Sequence, residues 1–396
     1  MAYINFKEEV YTAKLQLNKR LNNNEKLFSE IKESKKVSSG YNPDEKYSYK
    51  EFENMVFGGG HPKLEDELKE IKDIDIVCAK FINCKFSNIK FMNCKFIGCY
   101  FINSSFFGGG VVFDGCMFVK EESDEKPNLN KEDNLSCEFN ECNIYAKFIN
   151  CNLNHIIFNK CSLKNTNFET SDFSNGIVFN SELNMTIIKD SDLSGIKIVE
   201  TYIEDFEFRD KDKSKLDEKS FIDKIKFRYN TRDEYEGIYQ VYESIANKFN
   251  DNNLKNNFGE YYFLCKKTQR KSLKPIPRFC SFIAFITCGY GERPMYSVYF
   301  SLGIILIFSI LYLIFGMKVN EEIIVYNNNI DRIFSISQLL TDYNESLNLS
   351  VGMFAGVGLN EAQPSPNSYM ISNIEMIIGV LMMGVGIGAL VKKVVR

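Results

Sequence analysis

The chain has 396 residues, 25% of them charged and 44% hydrophobic, with a net charge of −4. That balance excludes a disordered chain and a basic nucleic-acid binder, and the length allows two or three domains. Two histidines, His61 and His155, leave a His triad, a His-rich metal cage or a His relay almost no material. Residues 1–70 mix Lys and Glu with scattered aromatics. They read as a helix over Ile4–Lys35, a linker over Lys36–Tyr47 and a sharp break at Phe57–Pro62, with His61 a loop residue rather than a ligand.

From Phe148 a bulky apolar residue returns at every fifth position: Leu153, Phe158, Leu163, Phe168, Phe173 and Val178, and so on to Phe208. An earlier run does the same from Phe81 through Phe86, Phe91, Phe96 and Phe101 to Phe106, resuming at Phe113 and Phe118 after Gly108–Gly110. Two residues before most of these sits a small one, among them Cys84, Cys94, Cys99, Cys151, Cys161, Thr166 and Ser171. A period of five fits neither an α-helix nor a flat strand. It fits a square coil whose five-residue sides each turn one large and one small residue inward. Repeats of this kind resemble the pentapeptide-repeat family, over about residues 76–210. The resemblance implies a right-handed quadrilateral β-helix, assigned here to residues 71–210. Roughly 24 repeats at four per coil make about six coils, or ~29 Å at the ~4.8 Å strand spacing.

Twelve cysteines are many, but eight of them occupy the small inward position, where Cys serves as a small buried residue. A zinc or disulfide framework lacks a CxxC pair and a suitably spaced histidine, and no secretory signal opens the sequence. The reading is therefore reduced thiols in a cytoplasmic domain, without metal or cofactor. Lys120–Ser136 is charged, contains Pro127 and reads as a solvated loop insertion. Within the linker region 211–275, helical spacing appears at Asp233–Phe249 and Leu254–Lys271. A basic cluster follows, Lys266, Lys267, Arg270, Lys271, Lys274 and Arg278, placed for contact with lipid headgroups.

The segment 276–295 reads as an interfacial helix, from the short apolar run Phe279–Ile286, followed by a turn. Tyr296–Gly316 then holds 21 residues without a charge, enough to cross a bilayer, and Tyr369–Val391 is a second span with one charge, Glu375. Bases flank the two spans on their outer sequence sides, at 266–278 and at Lys392, Lys393 and Arg396, whereas the 317–370 connector has only Lys318 and Arg332 against six acids. Both termini are thereby expected in the cytoplasm, with the connector outside.

The 54-residue connector carries a semi-apolar stretch, Tyr343–Phe354, and then Ala355 to Glu361. Span, short helix, glycine-bearing loop, span is the plan of the tetrameric cation channels. Gly356-Val357-Gly358-Leu359-Asn360-Glu361 resembles the potassium-channel TVGYGD filter. Val357 and Gly358 match, Glu361 keeps the acid at the pore mouth, and Gly356, Leu359 and Asn360 depart from it. Thr287-Cys288-Gly289-Tyr290-Gly291-Glu292 matches better by letter, but no span precedes it, so it reads as a turn leading into the first span. Glu375 is expected to brace the pore by accepting hydrogen bonds from the re-entrant helix or filter, and Gly379, Gly384, Gly386 and Gly388 permit either close helix crossing or a gating bend, with Gly379 and Gly384 the hinge candidates.

Together the segments are similar to bacterial pentapeptide-repeat proteins that carry an ion-channel domain, over about residues 76–396. The expectation is a multidomain protein: β-helix, α-helical linker, and a two-span α-helical membrane pore domain with a re-entrant pore loop at 296–396. It would act as a homotetrameric channel of the plasma membrane for monovalent cations, K⁺ foremost, leaving room for a cytoplasmic regulator of the β-helix. Its partners are its own copies, lipid and the permeant ion, with no nucleic acid. The rivals are a membrane-anchored scaffold without conduction and a soluble DNA mimic. Lys80, Lys85, Lys90, Lys95, Lys147, Lys160 and Lys164 dilute the acids such a mimic needs. No nucleophile–base pair or phosphate loop speaks for an enzyme.

Overall fold

The computed structural model describes residues 4–37, 40–59, 68–107, 110–118, 135–211, 213–326, 336–357 and 361–394. The chain divides into two compact units, Met1–Ser272 and Leu273–Arg396.

The first unit is a β-solenoid of about seven turns. Short parallel strands stack into an eight-stranded sheet and two seven-stranded sheets. A fourth ladder starts with Asp75–Val77 on Lys95–Ile97 and continues as single bridges through Met117, Asn152, Asp172, Asp192 and Lys215. Every rung puts its large residue in register with the one before: Phe81 on Phe101, Phe86 on Phe106, Phe91 on Phe113. Their rings stack nearly parallel, with centroids 4.9, 4.5 and 5.1 Å apart. The stacking distance is the strand spacing itself, so one repeated residue type makes a continuous core.

The small inward position has a definite hydrogen-bonding role. Its side chain donates to the carbonyl of the large inward residue one coil earlier. Cys142 Sγ reaches the Phe101 carbonyl at 3.2 Å and Cys116 Sγ reaches that of Phe91 at 3.4 Å. Thr166 Oγ1 does the same to Ile144 at 2.9 Å. Cys, Ser and Thr are the small residues that carry such a donor. The corners turn through left-handed residues, Asn at Asn83, Asn88, Asn93, Asn103, Asn150, Asn165, Asn175 and Asn180, the side chain that tolerates this conformation best after glycine.

The solenoid is longer than the periodicity predicts. Strands Glu51–Glu53 and Val56–Gly58, inside the stretch 1–70 read as helix and linker, and Lys69–Lys72, across its end, form a first coil. A last rung, Phe221–Ile222, lies in the stretch read as the helical linker. Both ends are hidden in the sequence because non-repeat residues separate them from the periodic run. The 120–136 reading also changes at its end. Leu135 and Ser136 are buried, while residues 119–134, like His61, lie outside the described residues.

Helix α1, Phe6–Ser34, runs along the eight-stranded face. Leu17 packs with Ile157 and Ile177, Phe28 lies edge-on to Tyr100 at 4.9 Å, and Asn24 accepts from the Ser136 N–H at 3.0 Å. Helices α2 (Arg232–Asp251) and α3 (Lys255–Ser272) pair with each other and supply Tyr242 and Tyr261 to the last rung. The Tyr261 hydroxyl accepts from Ile222 N at 2.9 Å and donates to Ile222 O at 2.8 Å. The Tyr242 hydroxyl accepts from Ile225 N at 2.8 Å. A solenoid's last coil exposes its core and unpaired backbone unless capped; these tyrosines satisfy the backbone while their rings join the core.

The second unit is helical: α4 (Pro275–Cys288), α5 (Pro294–Phe315), α6 (Ile336–Ala355) and α7 (Tyr369–Val394). Helices α5 and α7 are long and apolar enough to cross a membrane; the 22 residues of α5 measure about 33 Å. The connector does not leave α5 as open chain. Met317–Val319 and Glu322–Ile324 form an antiparallel hairpin through Asn320 and Glu321, both at positive φ, and Gln363–Pro364 pairs on its other side.

Candidate functional site

The connector helix α6 packs against both long helices. It is longer than the Tyr343–Phe354 stretch predicts, reaching back to Ile336. One face carries Ser346 and Ser350, one turn apart and fully buried. Ser346 Oγ donates to the Ser309 carbonyl of α5, and Ser350 Oγ lies 2.9 Å from the Ile305 carbonyl. Serine offers such back-bonds at little volume, so α6 approaches α5 closely.

Glu375 of α7 is fully enclosed. Its Oε2 accepts from the Tyr312 hydroxyl of α5 at 2.7 Å, and its Oε1 accepts from Ser350 Oγ of α6. One carboxylate thus ties three helices together. Its donors are Ser350 of the connector helix and Tyr312, neither of which the sequence singles out. The sequence signal for both is slight: a phenol in an apolar run, and two serines four residues apart.

Gly379, one turn below Glu375 on α7, meets the end of α6. A Cβ there would lie 2.0 Å from the Phe354 carbonyl oxygen. Its absence of a side chain is therefore required by close helix packing. At Gly384 a Cβ would meet nothing within 4 Å. Helix α6 ends at Gly356, whose φ of +68° is the left-handed stop of a helix C-terminus; Gly356 N donates to Met353 O and Val357 N to Gly352 O. Val357 and Glu361 are exposed. Gly358, Leu359 and Asn360 lie outside the described residues.

At the opposite end of α7, the Gly289–Gly291 turn is a short 3-10 helix with Tyr290 at φ 59°. It presents Glu292, fully enclosed, to Lys392, with Nζ and Oε1 2.7 Å apart. Ser297 Oγ of α5 donates to Thr287 O of α4 at 2.7 Å. The filter-like letters of this turn thus serve to join α4, α5 and α7. Helix α4 buries none of its residues and exposes Ile276, Phe279, Phe282 and Ile283. Of the basic cluster, Lys271 sits 4.1 Å over the Phe227 ring and Lys266 donates to Gln269, whereas Lys267, Lys274 and Arg278 are exposed. Among the described residues, no group of three or more His, Cys, Asp or Glu is placed to hold a metal.

Residues 137–175 match the family model for pentapeptide repeats, with eight copies. The chain accordingly carries pentapeptide repeats within a β-solenoid, and also a helical region with two helices of membrane-spanning length. No curated protein matches it. Among solved structures it is similar to HetL, a pentapeptide repeat protein involved in heterocyst differentiation regulation from the cyanobacterium Nostoc sp. The identity is 12%, over 41% of this chain and 64% of HetL, with a TM-score of 0.23. It is also similar to full-length QnrB1, a plasmid-mediated fluoroquinolone resistance protein, at 14% identity over 50% of this chain and 95% of QnrB1, with a TM-score of 0.13. The chain thus spans under two thirds of the length of HetL.

Proposed function

We propose that four copies of this chain form a cation channel of the bacterial plasma membrane, with the pentapeptide-repeat solenoid, in its right-handed quadrilateral form, as a cytoplasmic regulatory or assembly element. The observation that carries the reading is the enclosed Glu375 carboxylate, bonded to Ser350 of the connector helix and Tyr312 of the first long helix. A connector that merely linked two anchors in water would not need a helix packed between them and held through a buried charge. The close approach of Gly379 to Phe354 supports the same arrangement.

In this reading α5 and α7 cross the bilayer with both termini inside, and α6 enters from outside. The loop Gly356–Asn360 would offer backbone carbonyls to the ion, with Glu361 at the outer mouth. Right-handedness of the solenoid follows the general preference of parallel crossover connections. Helix α4 would lie in the inner interface, apolar side down, with Lys274 and Arg278 toward headgroups. Four copies are needed because one loop cannot enclose a pore.

The test is the reversal potential of the purified chain reconstituted in a planar bilayer under K⁺, Na⁺ and Cl⁻ gradients. Cation-selective current favouring K⁺ is the expected result. Folded, inserted protein without current would leave the second reading, a membrane-anchored pentapeptide-repeat scaffold, which the repeat match alone would satisfy.

A further inference from the structure

Helix α1 covers a row of outward-facing residues on the solenoid, one from each successive rung: Tyr100, Glu138, Ile157 and Ile177. Three of these four suit a helix-covered face. Phe28 packs on Tyr100, and Leu17 packs on Ile157 and Ile177. Glu138 does not. It is 7% exposed, and among the described residues its carboxyl has no hydrogen bond and no ion pair. The Tyr100 hydroxyl, one rung away, is also buried and without a hydrogen-bond partner.

Among the described residues, the ionisable groups around the pair offer Glu138 no countercharge. From α1 the facing group is Glu25, a like charge. From the solenoid they are the Cys78 and Cys137 thiols around Tyr100. Lys80, the nearest base on the ladder, holds its ammonium 4.8 Å over the Phe28 ring and 3.9 Å from Glu51. Arg20 of α1 donates to the Asn175 carbonyl. A buried carboxylate with no partner and an acid as neighbour is strongly disfavoured as the anion.

We propose that α1 is a proton-controlled strap: Glu138 is neutral while α1 is docked, and its ionisation releases the middle of α1, about residues 21–30, from the solenoid. Release uncovers Tyr100, on which Phe28 of α1 otherwise packs. Burial, and after it the Glu25 carboxylate, push the Glu138 carboxyl up to about 7 from its usual 4.5. The sign follows. Docking is strongest below the undocked value and weakens as pH rises from there through the docked value. Between pH 5 and pH 8 the docking equilibrium falls on the order of a hundredfold.

The test is amide hydrogen exchange of the full chain across that range, corrected for intrinsic exchange. Protection of residues 21–30 should fall by roughly a hundredfold, while α2 and α3 keep theirs. Glu138→Gln removes the charge and should leave α1 protected at both pH values. Glu138→Leu, which suits the row it sits in, should do the same and serves if the Gln variant does not fold. Glu25→Gln should move the midpoint down without abolishing it. Equal protection of wild-type α1 at pH 5 and pH 8 would overturn the proposal, and so would an unchanged pH dependence in a folded Glu138 variant.

Discussion

Tyr312 and Glu375 face each other from the two long apolar helices, the phenol donating to the carboxylate at 2.7 Å with both side chains fully enclosed. Neither group is needed to make its helix apolar or long. Each is a polar cost unless the other is there, so the pair specifies which faces of α5 and α7 meet. Tyr312→Phe removes the donor and leaves Glu375 Oε2 unsatisfied. The second unit should lose about 1–3 kcal/mol, read as a lower thermal midpoint of the solubilised protein by circular dichroism. Glu375→Gln, which keeps an acceptor for one donor, should cost less than Glu375→Ala.

Gly379 and Gly384 should respond differently to substitution by alanine. The new Cβ of Gly379→Ala meets the Phe354 carbonyl, and backbone on both sides must move, at about 1–3 kcal/mol or more. Gly384→Ala meets nothing within 4 Å and should gain roughly 0.5–1 kcal/mol of helix propensity. Thermal unfolding separates the two. If Gly384→Ala is stabilising and also slows opening in single-channel records, Gly384 is the bend; unchanged gating removes it from that role.

In the solenoid, the donor at the small position matters more than the sulfur. Cys142→Ser keeps a donor to the Phe101 carbonyl, as Thr166 and Thr186 do for theirs, and should change stability by no more than about 1 kcal/mol. Cys142→Leu overpacks the coil, at about 1–3 kcal/mol. Phe106→Ala empties a place in the ring stack and should cost about 3–5 kcal/mol. Denaturant titration of the chain orders the three.

Asp210 and Lys248 form a buried pair, 2.5 Å apart, that fastens α2 to the last coils. Burial works against the Asp210 anion, but the Lys248 ammonium and the Ser214 hydroxyl outweigh it and hold the carboxyl below its usual 3.8. The stability it contributes is therefore present above pH 3.8 and is lost as pH falls through the lower folded value. Asp210→Asn leaves Lys248 only the more exposed Asp251 carboxylate, 3.3 Å away, and should cost about 1–3 kcal/mol at pH 7. The gap between variant and wild type, followed by urea titration at pH 7, 5 and 3, should narrow only at the most acidic point.

The periodic core of the solenoid is legible in the sequence because one residue type recurs at a spacing that no helix or flat strand uses. Its first coil is not, because Phe52 and Phe57 are only two beats before Gly58 and Gly59 interrupt. The docking of α1 leaves a faint trace: Ile157, Ile177 and Phe179 are apolar at outward positions of one face, where a bare solenoid would carry polar residues. The two long helices are readable from their length and lack of charge. The polar seam between them is not, since Ser309, Ser346 and Ser350 gain meaning only when three helices meet. Gly356 combines two readings, a filter-like letter in the sequence and a helix-ending left-handed residue in the structure.

Ion flux through Gly358→Ala beside wild type, both reconstituted in liposomes loaded with K⁺, puts the channel reading to its most direct trial. Wild-type vesicles should release K⁺ and build a potential that a voltage-sensitive dye reports, and the variant, inserted and folded to the same extent, should not. Equal release from both, or none from correctly inserted wild type, would contradict conduction through the loop that follows α6.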